Sequence, residues 1–213
     1  MKTRTVAVDP KTPQTEVVQQ AVEALRRGGL VAFPTDTLYA LGADALAADA
    51  IERVLMVKGR HRGKPLSILV PSVEAIVALG VSLGDGVRGL MEAFWPGPLT
   101  VVVKAPGRFP ATLTAATGTI GLRIPGGAVA QSILTAFGGP IIGTSANKAG
   151  GADPADAKTV QRAVGGQIDL ILDGGHVALG VPSTVIDCSV EPARLLREGA
   201  VPRATLAAKI ALA

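Results

Sequence analysis

The sequence predicts an α/β fold, a single domain in which a twisted, mixed parallel and antiparallel sheet is flanked by helices around a basic cleft. Three observations carry the architecture. Short apolar runs of strand length alternate with stretches of helical periodicity, the pattern of an interleaved α/β chain. In the second half the strand-like runs follow one another faster, and parallel neighbours need long crossovers, so the sheet is expected to be mixed. The 213 residues contain no internal repeat, low-complexity tract or long polar linker, which fits one well-cored domain with a body at about 13–199 and a tail at 200–213.

Thr12 to Gly29 reads as the first helix: Thr12 caps it, Pro13 suits the first helical position, Val18, Val22 and Leu25 share a face, and Gly28-Gly29 stops it. Leu30 to Phe33 follows as a buried strand ended by Pro34. Asp49 to Val57 is the second helix, capped by Asp49 with Glu52 three residues on and ended by Gly59. Leu66 to Val70 is a short apolar strand. Helical stretches over Ser72 to Leu79 and Val87 to Phe94 are closed by the turn signal Pro96-Gly97-Pro98. Strands come next at Leu99 to Lys104 and Ile120 to Ile124, then a helix over Ala128 to Phe137 and a strand at Pro140 to Gly143. Asp153-Pro154 opens a further helix by the same logic of cap then proline. Strands near Leu170 to Leu172, Ser183 to Cys188 and Arg194 to Arg197 precede a terminal helix over Leu206 to Leu212.

Composition narrows the function. The chain is 48% hydrophobic and 18% charged with a mean hydropathy of +0.40, which excludes disorder and describes an aliphatic core. Aromatics make up only 3%, which weighs against a platform that stacks bases. The densest apolar stretch, Ala75 to Gly84, is broken by Gly80 and Ser82 and falls short of the roughly 18 residues a membrane span needs. No apolar core precedes Asp9-Pro10 to serve as a secretory signal, so a cytoplasmic location is expected. Cys188 is the only cysteine and His61 and His176 the only histidines, too few for an internal disulfide or a Cys/His zinc cage.

Charge is the strongest clue from residues alone. Lys58, Arg60, Arg62 and Lys64 fall in an acid-free stretch between a helix and a buried strand. Such a cluster is either a basic surface loop or an anion site. No acid occurs between Glu92 and Asp153, a run that holds Lys104, Arg108, Arg123 and Lys148 and lowers the cost of keeping an anion nearby. Arg123 lies in the apolar pattern Ile120-Gly121-Leu122-Arg123-Ile124-Pro125, so it is either an exposed strand residue or a charge aimed into a cleft. Thr144-Ser145-Ala146-Asn147 and Pro34-Thr35-Asp36-Thr37 each follow a strand, where a polar turn or a ligand loop can sit.

Nucleotide motifs of the usual kinds are missing. There is no Gly-x-x-x-x-Gly-Lys-Ser/Thr loop, and Gly84-Asp85-Gly86-Val87-Arg88-Gly89 matches the dinucleotide fingerprint without a strand before it or an acid about 20 residues on. Ser183, His176 and Asp187 lack the Gly-x-Ser-x-Gly elbow of a hydrolase.

Taken together, the loops resemble the YrdC-like family, the threonylcarbamoyl-AMP synthases, from about Gly28 to Gly199. The resemblance is carried by Phe33-Pro34-Thr35-Asp36-Thr37-Leu38-Tyr39-Ala40-Leu41-Gly42, Lys58-Gly59-Arg60, Pro65-Leu66, Trp95-Pro96-Gly97-Pro98-Leu99-Thr100, Gly121-Leu122-Arg123-Ile124-Pro125, Thr144-Ser145-Ala146-Asn147, Ser183-Thr184-Val185 and Arg197-Glu198-Gly199, in the family's order. It departs at Ala40, usually Gly, and at Ala149, often Ser.

The resemblance implies a nucleotidyltransferase that joins L-threonine, bicarbonate and ATP into threonylcarbamoyl-AMP and releases pyrophosphate, for the modification of transfer RNA beside the anticodon. By motif, Lys58, Arg60 and Arg62 are expected to neutralise ATP phosphates with help from Asn147 and Arg197, Lys58 and Arg60 acting electrostatically in catalysis. Thr35, Ser67, Arg123, Ser145 and Ser183 are expected to hold threonine and bicarbonate. Magnesium would enter with ATP, held by phosphates and water rather than by the protein. Downstream, the product would pass to the machinery that transfers threonylcarbamoyl to transfer RNA, with weak transfer-RNA binding by this chain as a further partner. Trp95 and the prolines after it are expected to shape a turn.

Two rival functions fit parts of the sequence. A non-catalytic module binding double-stranded RNA or transfer RNA would suit a pI near 9.5, but the first 57 residues hold seven acids against six basic residues, so positive charge is concentrated as a small anion would want. The related carbamoyl-transfer domain of hydrogenase maturation proteins belongs to much longer chains. Longer family members also carry an extra carboxyl-terminal domain, so the tail from Arg197 to Ala213 is a candidate lid.

Overall fold

The alternating pattern builds two sheets where one was expected. The computed structural model describes residues 2–59 and 65–213. The first sheet runs β1 (Arg4–Ala7), β9 (Leu170–Asp173), β2 (Val31–Pro34), β3 (Tyr39–Gly42) and β8 (Thr144–Ser145). The second runs β11 (Arg194–Arg197), β10 (Thr184–Asp187), β5 (Leu99–Lys104), β6 (Thr119–Arg123), β4 (Ser67–Leu69) and β7 (Ile141–Ile142). Both are mixed, as expected: β9 runs parallel to β1 and β2 while β2 and β3 form a hairpin, and β5 is parallel to β10 but antiparallel to β6.

The two-residue period of the strands explains the layers. On β2, Val31 and Phe33 join the outer core with Val18, Val22 and Leu25 of α1 (Thr15–Arg26) and Ile133 and Leu134 of α6 (Ala128–Phe137). Leu30, Ala32 and Leu41 face the other way into the larger core. There they meet Val54 of α2 (Ala48–Lys58) together with Ile68, Val101, Leu122 and Ile186 of the second sheet. One apolar core is therefore shared by both sheets.

The sheets are stitched where the chain passes from β7 to β8. Gly143 lies between them, its N–H bonding Ser67 O at 2.8 Å. A Cβ at that position would collide with the Leu69 side chain, so glycine is the residue that lets the crossing close.

Several element boundaries move for identifiable reasons. The first helix begins at Thr15, not Thr12, because the Asp9 carboxylate accepts the N–H groups of Lys11 (2.8 Å) and Thr12 (2.9 Å) in a preceding turn. The second begins at Ala48 without a side-chain cap, and ends at Gly59 as expected. Helix α7 (Ala157–Val164) starts one cap later than Asp153-Pro154: Asp156 accepts Thr159 N–H at 2.7 Å, while Pro154 O is taken by Tyr39 N–H. Extended pairing along Tyr39 draws 153–155 out of the helix. After the short α3 (Val73–Ala78), Gly84 precedes α4 (Asp85–Phe94) as an extended residue outside any strand, so its fingerprint match is coincidental; the one-turn α5 (Ala111–Thr114) lies between β5 and β6. The terminal helix expected over 206–212 does not form there: the last helix is α8 (Arg203–Ala207), which starts earlier and shares only Leu206 and Ala207 with that range.

The candidate lid is docked. Leu206 is fully buried, Ala193 bridges to Leu212, and Thr184 Oγ1 accepts Gly199 and Val201 N–H while donating to Val201 O. Buried Val201 and Leu206 hold the tail on the body.

Candidate functional site

Strand β6 places Ile120 and Leu122 in the core, so Gly121 and Arg123 stand on the opposite face. Arg123 is 7% exposed, which settles the alternative left by the sequence: the charge points inward. Nε donates to Gly97 O at 2.9 Å, Nη1 to Thr37 Oγ1 at 2.9 Å and Nη2 to Asp36 Oδ1. Burial draws the guanidinium below its ordinary value, and the facing Asp36 carboxylate acts against that shift. The run between Glu92 and Asp153 is free of acid in sequence but not in space, because the β2–β3 turn delivers Asp36 onto Arg123.

Thr35 sits in that turn. Its Oγ1 donates to Leu38 O at 2.7 Å and lies 3.1 Å from Thr37 Oγ1, so Thr35 shapes the loop that carries Asp36. The turn expected at Trp95 is also a support: Trp95 Nε1 donates to Leu99 O at 2.7 Å, and Gly97 receives Arg123.

Hydroxyls line the same face beside Arg123. Ser67 pairs with Gly121 across β4 and β6, and Thr100 Oγ1 lies 2.9 Å from Ser183 Oγ. Arg197 donates Nη2 to Ser183 O at 2.7 Å and to Ser183 Oγ at 3.2 Å, and its charge is felt by Arg123. Gly121 keeps this floor low. A Cβ there would stand 2.5 Å from Ser67 Oγ and 3.2 Å from Thr100 Cγ2.

Lys58 ends α2 and turns inward, 1% exposed. Its Nζ donates to Ser145 O at 2.6 Å and to Asn147 Oδ1 at 2.9 Å, and lies 3.4 Å from Ser145 Oγ. Asn147 Oδ1 also receives Ser145 Oγ at 2.8 Å, while Nδ2 serves both Gly151 O and Ala152 O at 3.0 Å. The amide's capacity is filled within the chain. Arg60 and Arg62, with Lys64, lie outside the described residues.

The site residues thus form two groups joined through the strands. Arg123, Thr35, Ser67, Ser183 and Arg197 make one, and Lys58, Ser145 and Asn147 the other. Ser145 pairs with Ala40 on the strand that follows the Thr35 turn, and Ser67 O holds Gly143 two residues before Ser145. Sequence reasoning missed Asp36, Thr37, Gly97 and Thr100 as site residues. All four lie inside the motifs that carry the family resemblance, and only the fold brings them against Arg123 and Ser183. Among the described residues, no group of three or more His, Cys, Asp or Glu side chains is placed to hold a metal ion, and no helix is long and apolar enough to cross a membrane.

The fold and site define an α/β protein that gathers buried cations and hydroxyls where two mixed sheets meet. Residues 23–199 match the family described as "Telomere recombination" (Sua5, YciO and YrdC), and the chain belongs to that family. It is 38% identical over 185 residues to a threonylcarbamoyl-AMP synthase of Pyrococcus abyssi, covering 87% of this chain and 54% of that protein. It is 38% identical over 193 residues to a putative threonylcarbamoyl-AMP synthase of Mycobacterium tuberculosis, covering 91% of this chain and 88% of the relative. The crystal structure of Pyrococcus abyssi Sua5 complexed with L-threonine superposes with a TM-score of 0.93 at 34% identity, over 99% of this chain and 63% of that one. This chain therefore spans about half the length of the archaeal relative and most of the mycobacterial one.

Proposed function

We propose that this chain is an L-threonylcarbamoyl-AMP synthase. The observation that carries the reading is the correspondence of nearly the whole chain to a structure complexed with L-threonine, in a family whose relatives bear that activity's name. The site chemistry supports it. The threonine amine adds to bicarbonate with loss of water to give a carbamate, whose oxygen then attacks the α-phosphorus of ATP and displaces pyrophosphate. Neither step needs a protein nucleophile; both need anions held close against their mutual repulsion.

In this reading Lys58, at the end of α2, neutralises phosphate charge together with Arg60, Arg62 and Arg197. Asn147, its hydrogen bonds filled, acts by holding Lys58 rather than by meeting the nucleotide. Arg123 and the hydroxyls of Ser67, Ser145 and Ser183 hold threonine and bicarbonate in a basic cleft, while Thr35, its hydroxyl taken up by Leu38 O and by Thr37, shapes the loop beside them. Magnesium enters with ATP, whose phosphate oxygens suit a hard cation, and neutralises charge there. The adenylate passes to the machinery that modifies transfer RNA.

The test is pyrophosphate release by the purified chain. Release from ATP that requires both threonine and bicarbonate is expected, with threonylcarbamoyl-AMP in the product mixture by mass spectrometry. ATP turnover indifferent to threonine, or none at all, overturns the reading.

A further inference from the structure

Asp36 was not among the residues marked from sequence, yet its carboxylate receives Arg123 Nη2. Its main chain is held on both sides: its N–H donates to Gly126 O at 3.2 Å and its carbonyl accepts Leu179 N–H at 3.0 Å. Its Oδ1 receives both Arg123 Nη2 and Gly126 N–H, the latter at 3.0 Å. A carboxylate tied down in this way does not follow a flexible side chain; the guanidinium follows it.

The pairing is one-pronged. Asp36 Oδ2 is buried without a hydrogen-bond partner, although a carboxylate facing a guanidinium commonly binds through both oxygens. Arg123 instead gives Nη1 to Thr37 and Nε to Gly97. Of its five N–H groups, three are used, and one remains on each terminal nitrogen. An orphaned buried carboxylate oxygen is unfavourable. It accompanies an arrangement that keeps two cationic donors unspent beside Ser67, Thr100 and Ser183.

We propose that Asp36 is a positioning residue, which by its one-pronged contact holds Arg123 so that its two remaining N–H groups meet an anionic group of the substrates. This rests on the function proposed above. That group is a carboxylate or a phosphate, and the experiment separates the two.

The experiment is a double-mutant cycle of Asp36→Asn and Arg123→Gln, with Thr37→Val as a third variant. Pyrophosphate release is measured with threonine varied at saturating ATP, then with ATP varied at saturating threonine, and folding is checked by thermal denaturation. Asp36→Asn is expected to raise one KM by about tenfold or more with a much smaller change in kcat. A rise confined to threonine assigns the carboxylate, and one confined to ATP the phosphate. The double variant is expected to be no worse than Arg123→Gln alone, because Asp36 acts through Arg123. Thr37→Val, which removes only the Nη1 acceptor, raises the same KM less.

An unchanged KM in Asp36→Asn while Arg123→Gln is impaired overturns the proposal, as do multiplied effects in the double variant. If Asp36→Asn does not fold, an unchanged KM in Thr37→Val has the same force. Normal kinetics in Arg123→Gln remove Arg123 from the site and the proposal with it. A wild-type chain without threonine-dependent turnover instead fails the functional reading itself, and the proposal falls with it.

Discussion

Lys58 Nζ lies 2.9 Å from Asn147 Oδ1, joining the end of a helix to a loop 89 residues further along the chain. The contact changes the meaning of both residues. Lys58 is not a mobile surface charge waiting for a phosphate, and Asn147 is not a spare amide. A buried ammonium held by Ser145 O and Asn147 is preorganised, so little reorganisation is needed when charge develops beside it.

Replacing Lys58 with Met is therefore expected to do two things. ATP affinity should fall by roughly 1.5–3 kcal/mol, the scale of a charge-assisted hydrogen bond. Stability should fall as well, by about 0.5–1.5 kcal/mol for each bond lost, because Asn147 Oδ1 and Ser145 O each give up one of two donors and keep only Ser145 Oγ and Asn147 N–H. Isothermal calorimetry reads the first and thermal denaturation the second. A variant that melts and binds ATP like wild type removes Lys58 from both roles.

Gly121→Ala tests the floor of the site. The added methyl would press on Ser67 Oγ at 2.5 Å and Thr100 Cγ2 at 3.2 Å, so the Ser67 hydroxyl must swing away and the floor rises. Since the substituent stands on the face opposite the core, we expect impaired threonine and ATP use with a loss of stability smaller than that of a core overpacking, which costs about 1–3 kcal/mol. Kinetics indistinguishable from wild type would mean that nothing approaches Gly121 closely.

What the sequence revealed and what it hid follow from the range of each interaction. Helix α6 was legible to the residue, and β5 and β11 likewise, because local periodicity fixes them. The start of α7 was not: the expected Asp153-Pro154 opening is overridden because Tyr39, from a distant strand, pairs with Pro154 and leaves the cap to Asp156. The two-residue strands β7 and β8 carry too little pattern to announce that the chain changes sheets between them. At the site, the motifs marked Arg123, while its environment depended on Asp36, which lies 87 residues away in the chain and ends the acid-free run only in three dimensions.

Thr184→Val probes the docked tail. Thr184 Oγ1 accepts from Gly199 N (2.9 Å) and Val201 N (2.9 Å) and donates to Val201 O (2.6 Å), all within buried or part-buried surroundings. Valine keeps the volume and leaves those groups unpaired, at about 1–3 kcal/mol for each buried one. At about 2–4 °C per kcal/mol for a chain of this size, a fall in melting temperature of several degrees is expected. Amide exchange should speed up over 199–213 before it does elsewhere. Uniform exchange, with no local loosening of the tail, would show that Leu206 and the bridge at Ala193 hold it without Thr184.

Tyr39 is the only tyrosine in the chain, so its ionisation can be read in isolation by tyrosinate absorbance. Burial pushes its hydroxyl up to about 12 from an ordinary 10.0, with the Asp173 and Asp156 charges adding to the rise and the Gly174 hydrogen bond opposing it. The hydroxyl donates to Gly175 O at 2.7 Å and accepts Gly174 N–H at 3.1 Å, tying β3 to the segment that leads on to Leu179 and Ser183. The folded state thus favours the neutral phenol. Because the folded pKa lies above the unfolded one, the contribution to stability is complete below about pH 10 and is lost as pH climbs from about 10 toward about 12, where the unfolded chain ionises first. Two outcomes are expected. Absorbance titration of the native protein should show a midpoint well above that of the same protein in denaturant, and the stability advantage of wild type over Tyr39→Phe should shrink as pH rises through that window. A native midpoint near 10 would place the Tyr39 hydroxyl in water rather than on Gly174 and Gly175.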